Sequence, residues 1–254
     1  MRRQNLTFFF MAVAALGLIV ILALYFSSPG KDGKDAADNP LFEKDGRPAV
    51  IIQASKALEM LKAGNRRYVT MERMKDPGVN KDSRKILLKG AAPFATILSC
   101  SDSRVPPEIF FDAGLGQIFV IRNAGNQLWA DALGSIEYAS LCSTSRLIVV
   151  MGHQSCRMVT AAVKVMRLTE SSETPAISTM TCNLFPAVLN AGKKDPNLSE
   201  EKLIEATCRE NIRMICKAIP QSSEALRKMN AAGKLKIIGA YADLESGNVE
   251  FFQP

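Results

Sequence analysis

From Pro93 onwards, several groups of apolar residues form short runs that predict buried strands. Pro93–Ser99 and Leu147–Met151 show no alternation of apolar and polar residues, which is typical of strands covered on both faces. Gln117–Arg122 and Lys236–Tyr241 are two further apolar runs of strand length. The sequence therefore predicts a sheet whose central strands lie in the interior.

Stretches with the apolar spacing of helices separate these runs. The first predicted helix is Pro48–Ala63, and Gly64, directly after it, is expected to end it. Further helices are predicted at Ala132–Leu141, Met158–Leu168 and Leu198–Ile219. The polar segment Thr169–Thr181 is expected to be a loop. Strands separated by helices predict an α/β fold with a central, mostly parallel β-sheet flanked by helices.

The amino-terminal segment predicts contact with a membrane. Phe8–Phe26 carries no charge and comes close to the about 20 apolar residues that a spanning helix needs. This length favours an anchor over a cleaved signal peptide, although the small residues Ser27 and Ser28 leave cleavage open. Arg2 and Arg3 precede the segment and are expected to stay in the cytoplasm. The rest of the chain is therefore expected on the extracytoplasmic, periplasmic side.

The predicted organisation has three parts. Residues 1–30 form the signal or membrane anchor, residues 31–40 a flexible polar linker, and residues 41–254 one catalytic domain. The chain has 254 residues, of which 47% are hydrophobic and 22% charged, and this composition excludes a wholly disordered chain. A formal net charge of +7 without a dense basic stripe gives no reason to expect nucleic acid as a partner.

Candidate metal ligands follow the two most apolar strands. Cys100 follows the first strand, and His153 and Cys156 follow the strand at 147–151. Ligand sites of open α/β sheets lie at the carboxyl ends of the strands, so we expect these side chains to meet. Two thiolates and one imidazole suit Zn²⁺, and three protein ligands leave the open position of a catalytic site. The other four cysteines, which show no clustering, are expected to be buried and structural: Cys142, Cys182, Cys208 and Cys216.

An acid and a base accompany the first ligand. Asp102 and Arg104 come two and four residues after Cys100. A guanidinium can bind a carboxylate through two hydrogen bonds and keep it ionised, so that the carboxylate accepts a hydrogen bond from metal-bound water. The alternative is a salt bridge that only stabilises the loop.

Five segments of the chain resemble the β-class carbonic anhydrases. The Cys-x-Asp-x-Arg and His-x-x-Cys motifs are the most specific part of this resemblance. The segments are Pro93–Glu108 (PFATILSCSDSRVPPE), Phe119–Asn126 (FVIRNAGN), Gly134–Ala139 (GSIEYA), Val150–Cys156 (VMGHQSC) and Gly239–Phe251 (GAYADLESGNVEF). The resemblance covers most of residues 50–254.

This resemblance implies a fold, a reaction and an assembly. The fold is the family's α/β fold, and the reaction is the reversible hydration of carbon dioxide to bicarbonate and a proton by zinc-bound hydroxide. The active form is a homodimer or higher oligomer. Cys100, His153 and Cys156 match the family's zinc ligands, and Asp102 and Arg104 match its catalytic dyad.

The resemblance also implies a substrate pocket and shows two departures. Phe119 and Tyr138 match residues that line the family's narrow apolar pocket near the subunit interface. Ala91 stands where the family commonly has Gln, and Arg157 where it commonly has Gly, so that Arg157 brings a side chain to the substrate pocket. These departures keep two alternatives open: hydrolysis of a CO₂ analogue such as carbonyl sulfide or carbon disulfide, and a non-catalytic zinc-containing binding protein.

Overall fold

One five-stranded sheet forms the centre of the protein. A computed structural model describes residues 51–73, 80–88, 90–172 and 174–254, and the predicted anchor and linker lie outside these residues. The spatial order of the strands is β2-β1-β3-β4-β5. The first four strands are parallel, and β5 pairs with β4 in the antiparallel direction. The strands are β1 (Ala95–Cys100), β2 (Ile118–Asn123), β3 (Leu147–His153), β4 (Lys236–Ala242) and β5 (Val249–Phe252).

Helices cover this sheet. Every residue of β1 and β3 is buried, as their uninterrupted apolar sequences predict, whereas β2 at the edge is only partly buried. The prediction of a mostly parallel sheet flanked by helices is therefore confirmed. The helices are α1 (Ala54–Val69), α2 (Lys81–Leu87), α3 (Pro107–Phe110), α4 (Ala130–Leu141), α5 (Arg157–Met166), α6 (Pro175–Cys182), α7 (Phe185–Lys194), α8 (Glu200–Ser222) and α9 (Glu224–Ala231). None of the helices within the described residues is long and apolar enough to cross a bilayer.

Gly64 does not end the first helix, contrary to the prediction. Helix α1 continues through Gly64 to Val69. A Cβ built on Gly64 would lie 1.8 Å from the carbonyl oxygen of Phe111, so a side chain at this position would collide with the backbone. The glycine is therefore explained by close helix packing rather than by a helix end.

The segment predicted as a loop is partly helical. Helix α6 begins at Pro175, inside the polar stretch 169–181. The Thr174 hydroxyl accepts a hydrogen bond from the Ile177 amide, and proline at the first helical position needs no amide partner. The N-cap Thr174 and Pro175 together start a helix that the polar composition of this segment does not predict.

Strand register brings the predicted ligands to one edge of the sheet. Ser99 of β1 pairs with Met151 of β3, so the two strands end side by side. Cys100 is the last residue of β1, and His153 is the last residue of β3. Cys156 is the N-cap of α5, only a short turn further along the chain.

Candidate active site

The three predicted metal ligands form one buried cluster. One ligand atom each from Cys100, His153 and Cys156 lie within 4.8 Å of one another. The two sulfurs are 4.0 Å apart, and each of the three residues is at most 4% exposed. His153 Nδ1 lies 2.9 Å from the Gln154 carbonyl oxygen, to which it donates in the Nδ1–H tautomer. His153 Nε2 is then a free acceptor, and it is buried without a hydrogen-bond partner among the described residues.

This cluster fits zinc. Tetrahedral zinc with Zn–S bonds of about 2.3 Å holds two sulfurs about 3.8 Å apart, and the observed separation of 4.0 Å is close to that. The lone pair of the buried, unpartnered His153 Nε2 is available to bind a metal ion. The other ring nitrogen, Nδ1, contacts a backbone carbonyl, which is the usual arrangement for a metal-bound histidine. Three ligands leave one coordination position for water or substrate.

The two thiols differ in their surroundings. Cys100 Sγ accepts hydrogen bonds from the amides of Gly125 and Asp102, at 3.3 and 3.4 Å. Hydrogen bonding from Cys156, helped by these amides, lowers the pKa of Cys100 against the effect of burial. The same contact and burial raise the pKa of Cys156. Cys100 therefore loses its proton first, and a bound cation favours ionisation of both thiols.

Asp102 and Arg104 form a tight ion pair beside the cluster. Asp102 Oδ1 accepts hydrogen bonds from the backbone amide and Nε of Arg104, at 3.0 and 2.9 Å, and Oδ2 accepts one from Nη2 at 2.7 Å. These hydrogen bonds hold the pKa of Asp102 well below its usual range. Arg104 Nη2 also donates to the Ser155 carbonyl, two residues after His153. The pair is thereby tied to the loop that carries the other two ligands.

A cavity of about 570 Å³ opens in front of these groups. Polar atoms line one part of it, and the side chains of Ala124 and Met158 add apolar surface. Arg157 also lines this cavity. The full lining is Cys100, Ser101, Asp102, Ser103, Arg104, Ala124, Arg157 and Met158.

Comparison with known proteins identifies the family. A sequence profile described as carbonic anhydrase matches residues 95–249, a range that contains the ligands and the dyad. Carbonic anhydrase 2 of Mycobacterium tuberculosis is 35% identical over 193 residues, covering 75% of this chain and 89% of the relative. The solved β-carbonic anhydrase CcaA superimposes with a TM-score of 0.62 at 25% identity, covering 78% of this chain and 99% of that chain.

The chain belongs to the β-class carbonic anhydrases. A further structure, one of two tetrameric β-carbonic anhydrases from the ascomycete Sordaria macrospora, shares the fold with a TM-score of 0.60 at 21% identity. It covers 78% of this chain and 97% of that chain.

Two of the pocket residues implied by the β-class resemblance lie away from this cavity in the single chain. Phe119 on β2 and Tyr138 on α4 contact each other, with ring centroids 6.2 Å apart. Neither belongs to the residues that line the cavity, and Tyr138 is 59% exposed. Ala91 is exposed and also lies outside the lining. Their part in a β-class substrate pocket stays a prediction.

The remaining cysteines follow the prediction only in part. Cys208 and Cys216 on α8 are buried, and burial raises the pKa of each thiol to about 12. Cys142 and Cys182 are exposed, so the expectation that all four are buried is wrong. Both exposed residues lie at the carboxyl ends of helices, Cys182 as the last residue of α6 and Cys142 as the C-cap of α4.

Two residues that support the site had no predicted function in the sequence analysis. Arg122 donates from Nε to the Cys100 carbonyl at 2.9 Å and from Nη2 to the Asp102 carbonyl at 2.7 Å. Gly125 supplies one of the amides that face Cys100 Sγ. Both residues belong to the segment FVIRNAGN of the β-class resemblance, so the signal was present without a function attached to it.

Proposed function

We propose that this protein catalyses the reversible hydration of carbon dioxide to bicarbonate and a proton. The observation that carries the proposal is the Cys100–His153–Cys156 cluster beside the Asp102–Arg104 pair. Cys100 and both members of the pair line the same cavity. Membership of the carbonic anhydrase family supports the same reaction. No observation favours hydrolysis of a CO₂ analogue, and an intact dyad speaks against a purely structural zinc.

Cys100, His153 and Cys156 would hold the zinc. When bound, zinc acts as a Lewis acid that supplies a hydroxide nucleophile near neutral pH. The Gln154 carbonyl fixes the tautomer of His153, so the lone pair of Nε2 would be available to the metal. The amides of Gly125 and Asp102 stabilise the Cys100 thiolate, which is the ionised form needed for metal binding.

Asp102 is the group that orients the attacking water by accepting a hydrogen bond from it. Arg104 keeps the carboxylate ionised, because its hydrogen bonds lower the pKa of Asp102. Oδ1 already accepts two hydrogen bonds, whereas Oδ2 accepts one and retains a lone pair. Oδ2 is therefore the atom that accepts a hydrogen bond from the attacking water and orients it.

The apolar part of the cavity suits a small uncharged substrate. Ala124 and Met158 offer surface without hydrogen-bonding groups next to Cys100 and Asp102. Carbon dioxide carries no charge and loses little hydration in such a place, whereas bicarbonate needs polar partners. The cavity contains both kinds of surface, as a reaction that converts carbon dioxide into bicarbonate requires.

Zinc content and CO₂ hydration by the purified full chain test this proposal. We expect about one zinc per chain and hydration far above the uncatalysed rate, measured by stopped-flow with a pH indicator. Cys156→Ser should lose zinc and activity together. Cys216→Ser is the matched control, because Cys216 is equally buried but does not belong to the cluster. Zinc binding without hydration in the wild type would refute the proposal.

We further propose that the protein self-associates as a homodimer or higher oligomer. Within the described residues, β2 pairs only with β1 and presents its other edge. The exposed Tyr138 ring lies beside Phe119 of this edge strand. A second copy that covers this edge would satisfy its backbone groups and bury the aromatic pair. Light scattering coupled to size-exclusion chromatography tests this, and a monomer at micromolar concentration would contradict it.

The site of action is proposed from the amino-terminal sequence alone. The uncharged segment Phe8–Phe26, which follows Arg2 and Arg3, supports an inner-membrane anchor with the catalytic domain on the periplasmic side. If the segment is cleaved, the domain is released into the periplasm. Protease accessibility in spheroplasts of a Gram-negative host tests the orientation. Mass spectrometry of the mature chain shows whether the segment is removed.

A further inference from the structure

Arg157 brings a free positive charge to the catalytic cavity. It is the first residue of α5, directly after the ligand Cys156, and its side chain is exposed at the cavity lining. No hydrogen bond or ion pair joins its guanidinium to any residue that the structure describes. Arginines of structural importance normally have a carboxylate or carbonyl partner, so a role in holding the fold together does not explain this one.

The other charges of the cavity cancel. With zinc bound, the two thiolates would balance its two positive charges, and Asp102 balances Arg104. Arg104 directs its Nε and Nη2 groups to both oxygens of Asp102 and to the Ser155 carbonyl. Arg157 is therefore the charged side chain of the cavity lining that has no partner among the described residues.

A single guanidinium suits a planar monovalent oxyanion. Its fork of N–H donors matches two oxygens of a carboxylate-like group. The first amides of α5 have no acceptor within the helix and add to the positive potential at the same place. Of the two carbon species in the proposed reaction, carbon dioxide is neutral and bicarbonate is a planar monoanion, so only bicarbonate gains from this charge.

We propose that Arg157 is a specificity-determining residue that binds bicarbonate in the cavity. This inference rests on the proposed function. Arg157 strengthens the binding of bicarbonate and of non-reacting planar oxyanions such as nitrate, and it leaves the binding of carbon dioxide unchanged. The enzyme is thereby more sensitive to inhibition by its own anionic product than a chain with glycine at this position.

The test is a calorimetric titration of the zinc-loaded full chain with nitrate at constant ionic strength. Arg157→Gln removes the charge but keeps a long polar side chain, and Arg157→Lys keeps the charge without the fork. We expect Arg157→Gln to weaken nitrate binding about three- to tenfold, the low end for charge-assisted hydrogen bonds because the side chain is exposed. Arg157→Lys should lose less. The Michaelis constant for bicarbonate should rise by a similar factor, and that for carbon dioxide should not change.

Arg227→Gln is the matched control for net charge. Arg227 is an exposed arginine on α9 that lines a different cavity, so its loss should leave nitrate affinity unchanged. Equal nitrate affinity in wild type and Arg157→Gln overturns the inference, as does an equal loss in Arg227→Gln. The titration decides the inference without turnover, whereas a zinc-loaded wild type that does not hydrate CO₂ overturns the proposed function instead.

Discussion

Replacing Asp102 with asparagine separates the chemistry of the dyad from its contribution to folding. The substitution keeps the size of the side chain and leaves Oδ1 as an acceptor for the amide and Nε of Arg104. The new Nδ2 group, however, faces Arg104 Nη2, which lies 2.7 Å from Oδ2 in the wild type. Two donors then oppose each other, and the negative charge is lost.

The structure sets the size of both effects. A charge-assisted hydrogen bond contributes about 1.5–3 kcal/mol when buried, but Arg104 is 46% exposed, so solvent reduces the loss of stability to about 1 kcal/mol. That is a small part of the about 5–15 kcal/mol that stabilises a folded domain. Loss of the carboxylate that orients the attacking water lowers the turnover number about 10²-fold or more. The catalytic effect should therefore far exceed the effect on folding.

Stopped-flow hydration assays and zinc analysis on the same samples measure this. We expect Asp102→Asn to retain zinc and to lose turnover by that factor. Asp82→Asn is the control, since Asp82 is an exposed carboxylate on α2 that only approaches Lys85 at 4.0 Å. Turnover close to wild type would show that Asp102 is no more than a loop-stabilising partner of Arg104. Loss of zinc together with turnover would assign Asp102 to the integrity of the metal site.

Four further predictions follow from the structure. Gly64→Ala should lower the free energy of unfolding by about 1–3 kcal/mol, because the new Cβ would lie 1.8 Å from the Phe111 carbonyl oxygen. Gly192→Ala, whose Cβ would lie 4.0 Å from its nearest neighbour, should raise the free energy of unfolding by about 0.5–1 kcal/mol. Urea titrations measure both changes. Arg122→Gln should slow hydration about tenfold or more with zinc retained, since it removes the hydrogen bonds that hold the backbone between Cys100 and Asp102. Because the pKa of Asp102 is lowered in the folded protein, its contribution to stability is present above about pH 4 and is lost as the pH falls further; the difference in unfolding free energy between wild type and Asp102→Asn should shrink accordingly in acid. Turnover should rise with buffer concentration up to a plateau, because the chain's single histidine is a zinc ligand and cannot carry the proton away; equal rates in dilute and concentrated buffer would contradict this.

The strands could be predicted from the sequence more closely than the helix ends. Burial on both faces requires an uninterrupted apolar run, and Leu147–Met151 is such a run within the buried strand Leu147–His153. Gly64 was wrongly expected to end a helix, because local sequence does not show that the Phe111 backbone passes against it. The helix at Pro175–Cys182 was missed because capping by Thr174 outweighs the polar composition of its neighbourhood.

The metal ligands could likewise be predicted from the sequence more closely than the residues of the cavity wall. Cys100 and His153 each end a buried strand. The ends of neighbouring parallel strands lie side by side at one edge of the sheet, independently of how the helices pack. The two motifs were therefore enough to predict that the ligands lie together. Ala124 and Gly125 reach the site only because β2 pairs with the opposite side of β1, an arrangement that depends on the order of all five strands. Spacing along the chain therefore predicts which atoms hold the ion, whereas the surface that the substrate meets is decided by tertiary packing. Arg157, by contrast, follows the ligand Cys156 directly along the chain, and its side chain lies in the cavity lining.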